Sequence, residues 1–169
     1  MVLQPTRDDL RIAWLTALAV SIHLLESALP SPLPGVKPGL ANVITVAVLI
    51  YFGWAMAAWI SLLRVTAGSV LLGTFLSPTF VLSLSGAVAS IFVLGLVTLS
   101  TGRTLLGPVG YSILASMAHV SGQFAVAYLL FIPHPGLFRL LPIVMSAALL
   151  FGVLSGIIAH HMLRKLAHP

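Results

Sequence analysis

Six apolar stretches follow one another along the chain, separated by short polar, glycine or proline segments. A helix needs about 20 mostly apolar residues to cross the hydrocarbon core of a bilayer. Most of the stretches approach that length, whereas the second is short and only Gly53 marks its separation from the third. The pattern predicts transmembrane helices at about residues 11–29, 40–52, 54–76, 80–99, 109–132 and 137–160.

The composition agrees with this pattern. Of the 169 residues, 59% are hydrophobic and 7% are charged, and the mean hydropathy is +1.13. A soluble domain carries about 25% charged residues, so this composition excludes a soluble globule. The sequence predicts an all-α integral membrane protein with six transmembrane helices, and a single membrane domain over residues 1–169.

The few charges serve to predict orientation. Eight Lys and Arg stand against three Asp and Glu, a formal net charge of +5, but they are too scattered for a nucleic-acid-binding face. Basic residues concentrate on the cytoplasmic side of membrane proteins, so both termini are predicted to be cytoplasmic. The predicted inner side carries Arg7, Arg11, Arg103, Arg164 and Lys165, and the outer side carries Lys37 and Arg139.

Several polar residues fall inside the predicted spans. Ionisable groups at membrane depth are costly, face the protein interior and commonly mark functional sites. Arg64 lies near the middle of the third span and Glu26 toward the outer end of the first. An ion pair between them would lock the bundle, and a polar pocket around Arg64 would hold an anionic solute. The two interpretations are compatible.

Two further positions extend this polar set. His119 and Gln123 in the fifth span are four residues apart, which places them on one helix face. They suit either hydrogen bonds between helices or contacts to a ligand. Asn42 begins the second span and completes the set of polar candidates within the spans.

A metal site is not expected. His23 and Glu26 are three apart, a spacing that helical di-metal sites use on two helices together with further carboxylates, but no span contains a second acid. The chain has no cysteine, which excludes iron–sulfur ligation and thiol chemistry. We therefore predict no metal and no resident cofactor.

Small residues recur on two predicted helices. Ala13, Ala17 and Ser21 repeat every fourth residue in the first span, and Gly152 and Gly156 form a GxxxG pattern in the last. Such faces allow helices to approach closely. The pattern on the first span equally suits docking of a partner helix.

Three segments carry a family resemblance: "PGLANVITVAVLIYFG", "SLLRVTAGSVLLGTFLSP" and the small-residue stretch "LSLSGAVAS". In this order they resemble the substrate-binding S component of energy-coupling factor (ECF) vitamin transporters. More narrowly, the chain resembles the Gx transporter family, labelled heptaprenyl diphosphate synthase component I. The resemblance implies a six-helix substrate-binding fold with its solute site near the outer face, under the first external loop.

The resemblance also implies roles for individual residues. Ala13 and Ala17 fit an AxxxA motif that docks against a transmembrane coupling subunit driven by two ATPase subunits, with Ser21 as a small departure. Metal-transporting relatives have a histidine at position two, where this chain has Val2, which argues against metal uptake. In the loop "LPSPLPGVKPGLANV", prolines would stiffen a lid and Lys37 would place a positive charge over the site entrance. A rigid hairpin without a ligand is the alternative for this loop.

Three classes of function follow from these observations. Prenyl diphosphate synthesis requires clustered carboxylates that hold magnesium, and the chain offers only Asp8, Asp9 and Glu26, so we predict that it is not an enzyme. The leading prediction is an S component that takes up a small vitamin-like solute across the bacterial cytoplasmic membrane. The alternatives are a membrane partner of an extracytoplasmic redox, flavin or quinone system and, third, a non-catalytic component of prenyl diphosphate synthesis. For the S component, the predicted substrate-binding residues are Glu26, Lys37, Asn42, Arg64, His119 and Gln123, and the predicted docking residues are Ala13, Ala17 and Ser21.

Overall fold

The computed structural model of the chain describes residues 6–28, 41–101 and 106–167, and these contain helices and no strand. The all-α prediction is therefore confirmed over the described residues. The end of α5 continues as a π-helical turn, Ala127–Phe131, and a 3₁₀ segment, Pro135–Leu140, leads into α6. The helices are α1 (Arg7–Ala28), α2 (Ala41–Tyr51), α3 (Trp54–Leu71), α4 (Pro78–Thr101), α5 (Pro108–Val126) and α6 (Leu141–Ala167).

Each predicted span overlaps one of these helices. Within the described residues, four helical stretches are long and apolar enough to cross a membrane: Trp54–Leu71, Pro78–Ser100, Pro108–Phe131 and Pro135–Lys165. Helix α2 is apolar but has only 11 residues. The protein is thus a multi-pass membrane protein, and a crossing by α1 stays a prediction, as does the cytoplasmic location of both termini.

Glycines with positive φ set the ends of α2 and α3. Gly53 has a φ of 104°, and the backbone N–H groups of Phe52 and Gly53 both donate to the carbonyl of Val48. This turn confirms the separation of the second and third helices. Gly73, with a φ of 68°, turns the chain so that α3 ends at Leu71, before the predicted limit of the third span at residue 76.

Helix α2 forms the centre of the bundle. Helices α1, α3, α4, α5 and α6 pack as a row in that order, and α2 contacts α1, α3, α5 and α6. Residues 43–49 of α2 are all buried, as expected for a helix that is apolar on every side. The Arg11 guanidinium of α1 lies 5.5 Å from the ring centroid of Phe52, just after α2. The start of α1 and the end of α2 therefore lie at the same end of the bundle.

Helices α5 and α6 approach each other most closely at two glycines. A Cβ atom added to Gly156 would lie 2.5 Å from the Cα of Val109, and one added to Gly152 would lie 3.0 Å from the Cα of Ile113. Backbone atoms cannot move aside as a flexible side chain can. The GxxxG pattern therefore marks a tight helix contact, as its spacing predicts.

Gly156→Ala should therefore destabilise the bundle. The added methyl group forces α5 and α6 apart, an overpacking cost of about 1–3 kcal/mol. Thermal unfolding in detergent should show a clearly lower midpoint than for the wild type. Gly107→Ala is the matched control, because a Cβ there meets nothing within 4 Å; equal midpoints for the two variants would contradict this packing.

Candidate functional site

Arg64 lies inside the bundle at the start of α2. Its side chain is only 5% exposed, and its Nη2 donates a hydrogen bond to Oδ1 of Asn42 at 3.4 Å. Asn42 is the second residue of α2, whereas Arg64 lies about 15 Å along α3 from Trp54. Helix α2 thus begins beside the middle of α3, within the bundle.

From another helix, α5, the side chains of His119 and Gln123 face α4. A Cβ added to Gly86 would lie 2.7 Å from Nε2 of His119 and 2.9 Å from Cγ of Gln123. The two side chains therefore share one face, as their spacing predicts. Nδ1 of His119 is buried and has no hydrogen-bond partner in the described part of the structure. Buried polar atoms are normally paired, so this nitrogen is a position at which a further hydrogen-bonding group would be accommodated.

His23 of α1 lies near these residues of α3 and α5. Its ring packs on Gly68 of α3, where an added Cβ would lie 2.9 Å from the Cδ2 atom of His23. Both His23 and Arg64 are close enough to His119 to interact with it electrostatically. The described side chains that converge here, called the polar cluster below, are His23, Asn42, Arg64, His119 and Gln123.

The structure brings together four of the six predicted substrate-binding residues, namely Asn42, Arg64, His119 and Gln123. Lys37 lies outside the described residues. Glu26 lies in the last turn of α1, and its side chain is outside the described part of the structure.

Sequence reasoning considered His23 only as half of a metal pair with Glu26 and so missed its place in the polar cluster. The available signal was Gly68, one turn beyond Arg64 on the same face of α3, because a glycine there leaves room for a ring from a neighbouring helix.

The chemistry of the polar cluster suits a small polar molecule. A guanidinium only donates hydrogen bonds, whereas imidazole and amide side chains both donate and accept. Such interactions are strong where water is scarce. Among the described residues, no group of three or more His, Cys, Asp or Glu side chains could hold a metal ion.

The family model for heptaprenyl diphosphate synthase component I matches residues 15–162 of the chain. The chain belongs to this family. The match covers the whole polar cluster and confirms the family resemblance carried by the sequence segments. No curated protein sequence and no solved structure matches the chain.

The helix face with the small-residue repeat is open in this member of the heptaprenyl diphosphate synthase component I family. Ala13, Ala17 and Ser21 are all exposed on α1, and Oγ of Ser21 donates to the carbonyl of Ala17 at 2.9 Å. Ala19, which lies nearly opposite the repeat on the helix, is fully buried. Within the described chain, no helix packs over the repeat.

Asn42→Leu should weaken the contact between α2 and α3. The variant removes one hydrogen-bond acceptor of Arg64 but keeps a side chain of similar size, and a hydrogen bond to a charged group contributes about 1.5–3 kcal/mol. The thermal unfolding midpoint in detergent should fall. Ser121→Ala is the control, because it loses only a hydrogen bond to the carbonyl of Met117 on an exposed face. A midpoint as high as that of the control would show that the Arg64–Asn42 bond is not structurally important.

Proposed function

We propose that this protein is the substrate-binding subunit, or S component, of an ECF-type uptake transporter for a small vitamin-like solute in the bacterial cytoplasmic membrane. The observation that carries the proposal is the polar cluster, which lies at mid-height in an apolar bundle and in which Arg64 is buried and the other four residues are partly buried. Ionisable side chains at membrane depth are expensive and commonly mark a substrate pathway. The buried Nδ1 of His119, which lacks a partner among the described groups, supports a bound solute.

The short helix α2 supports the same function. Transporters commonly bind their substrates near the membrane midplane, where a discontinuous helix ends inside the bundle. Helix α2 begins at the polar cluster, and its second residue bonds Arg64. The positive end of the helix dipole is therefore directed toward the solute.

The family description and the acidic residues support a non-catalytic role with partner subunits. The description names a component, which suits a chain that works within a complex. Asp8 pairs with Arg11 at 3.0 Å, and Asp9 accepts hydrogen bonds from the N–H and Oγ1 of Thr6 at the start of α1. These bonds lower the pKa of Asp9. Both carboxylates are exposed at the start of α1 and already bonded to neighbouring residues, and neither faces the polar cluster.

The face of α1 that carries Ala13, Ala17 and Ser21 is proposed to dock on a transmembrane coupling subunit. Two ATPase subunits would drive that coupling subunit. The three side chains are small and exposed, and the hydroxyl of Ser21 is hydrogen-bonded within its own helix. A partner helix could approach this face closely without leaving a polar group unpaired.

A membrane partner of a redox or quinone system is the second candidate function. The observation that favours it is the adjacency of His119 and Gln123, whose side chains could bond the carbonyl oxygen of a quinone ring. A component of prenyl diphosphate synthesis, as the family description states, would carry a prenyl lipid instead. The molecule that copurifies with the protein distinguishes the three functions.

Arg64→Ala should reduce the amount of copurified solute at least tenfold, because it removes the principal hydrogen-bond donor of the polar cluster. Native mass spectrometry of the detergent-purified protein, followed by denaturation, identifies the solute and its stoichiometry. Arg7→Ala is the charge-matched control, since Arg7 is exposed at the start of α1. Equal retention by the two variants, with unchanged helical content, would remove Arg64 from the solute site.

Ala17→Phe should prevent copurification with the coupling and ATPase subunits of the same organism, because the ring occupies the space that a partner helix needs. Binding of the solute should be unchanged. Val88→Phe on α4 is the control for added bulk at an exposed apolar position. The docking proposal fails if the Ala17 variant assembles as well as the control does.

A further inference from the structure

An exposed apolar stripe runs along the second half of α6 and ends in a cationic patch. Leu150, Leu154, Ile157 and Ile158 are 66%, 54%, 43% and 45% exposed. Their spacing of three and four residues places them on one helix face. The same face continues through the exposed His161 to Arg164 and Lys165 in the last turns of α6.

The length of the stripe matches one leaflet of a bilayer. Eleven residues separate Leu150 from His161, which corresponds to about 16 Å along a helix. Half of a hydrocarbon core is about 15 Å thick. An acyl chain could therefore lie along the stripe while its headgroup reached the cationic patch.

Among the described residues, no acidic side chain is paired with the patch. Only three acidic residues occur in the whole sequence. Asp8 is paired with Arg11 and Asp9 is bonded to Thr6. Glu26 lies in the last turn of α1, at the opposite end of that helix from Arg11, which contacts Phe52 just after α2. Arg164 and Lys165 are exposed, and the adjacent rings of His160 and His161 lie 6.0 Å apart and add further hydrogen-bonding groups.

We propose that this face of α6 binds an anionic phospholipid. Arg164 and Lys165 bind the headgroup phosphate, and the stripe from Leu150 to Ile158 contacts an acyl chain. Inorganic phosphate would bind only the cationic patch. A zwitterionic lipid has no net charge, so Arg164 and Lys165 would strengthen its binding little. The continuity of the apolar stripe with the cationic patch is what selects an amphipathic anion. This site is separate from the polar cluster and does not depend on the proposed transport function.

Native mass spectrometry of the purified protein in micelles containing equal amounts of phosphatidylglycerol and phosphatidylcholine tests the proposal. The wild type should retain phosphatidylglycerol in preference to phosphatidylcholine. The double variant Arg164→Gln/Lys165→Gln should retain it at least tenfold more weakly, because each basic residue near an anionic lipid surface contributes about a fivefold effect. The double variant Arg7→Gln/Arg139→Gln removes the same charge elsewhere and should behave as the wild type does.

Three results would overturn the proposal. They are equal retention of the two lipids by the wild type, equal losses in the two double variants, and displacement of phosphatidylglycerol by millimolar inorganic phosphate. The last result would show a simple anion site. Leu154→Gln, which makes the stripe polar and leaves the patch intact, should also weaken lipid retention, and thermal unfolding of each variant verifies that the bundle is folded.

Discussion

The hydrogen bond between Arg64 and Asn42 is the interaction on which the central architecture depends. A buried guanidinium inside an apolar bundle must find its partners within the protein, because lipid supplies none. The bond joins the start of α2 to the middle of α3. Beside this bond, a helix of 11 residues, too short to cross a bilayer by itself, is the buried centre of the bundle. The same bond places a helix N-terminus among polar side chains at mid-height.

At three helix contacts, a ring that carries a polar atom packs against a glycine of a neighbouring helix. His23 packs on Gly68, His119 packs on Gly86, and Trp54 packs on Gly95. In the third case the indole Nε1 also donates to the carbonyl of Ile91 at 2.9 Å. Each glycine leaves the space that a ring needs beside a neighbouring backbone. Two of these pairs, His23 with Gly68 and His119 with Gly86, contribute the two imidazole rings of the polar cluster, and their positions depend on the absence of a Cβ at those glycines.

Much of the helical framework could be predicted from sequence, because hydrophobic run length and glycine punctuation are local signals. Gly53 separates α2 from α3, and the four-residue spacing of His119 and Gln123 places them together on α5. The position of His23 could not be predicted, because it depends on the rotation of α1 about its axis and on its contact with α3. Those are properties of packing between helices distant in sequence. The early end of α3 depends on the positive φ of Gly73, which a continuous apolar sequence does not indicate.

The central claim is that the polar cluster holds a small solute within the membrane. A cryo-electron microscopy or crystal structure of the purified protein with the molecule that it carries from the cell tests this most directly. We expect density for that molecule within hydrogen-bond distance of Nδ1 of His119 and of the Arg64 guanidinium. Density for the molecule elsewhere, with the chain's own side chains filling the space between these two groups, would contradict the account.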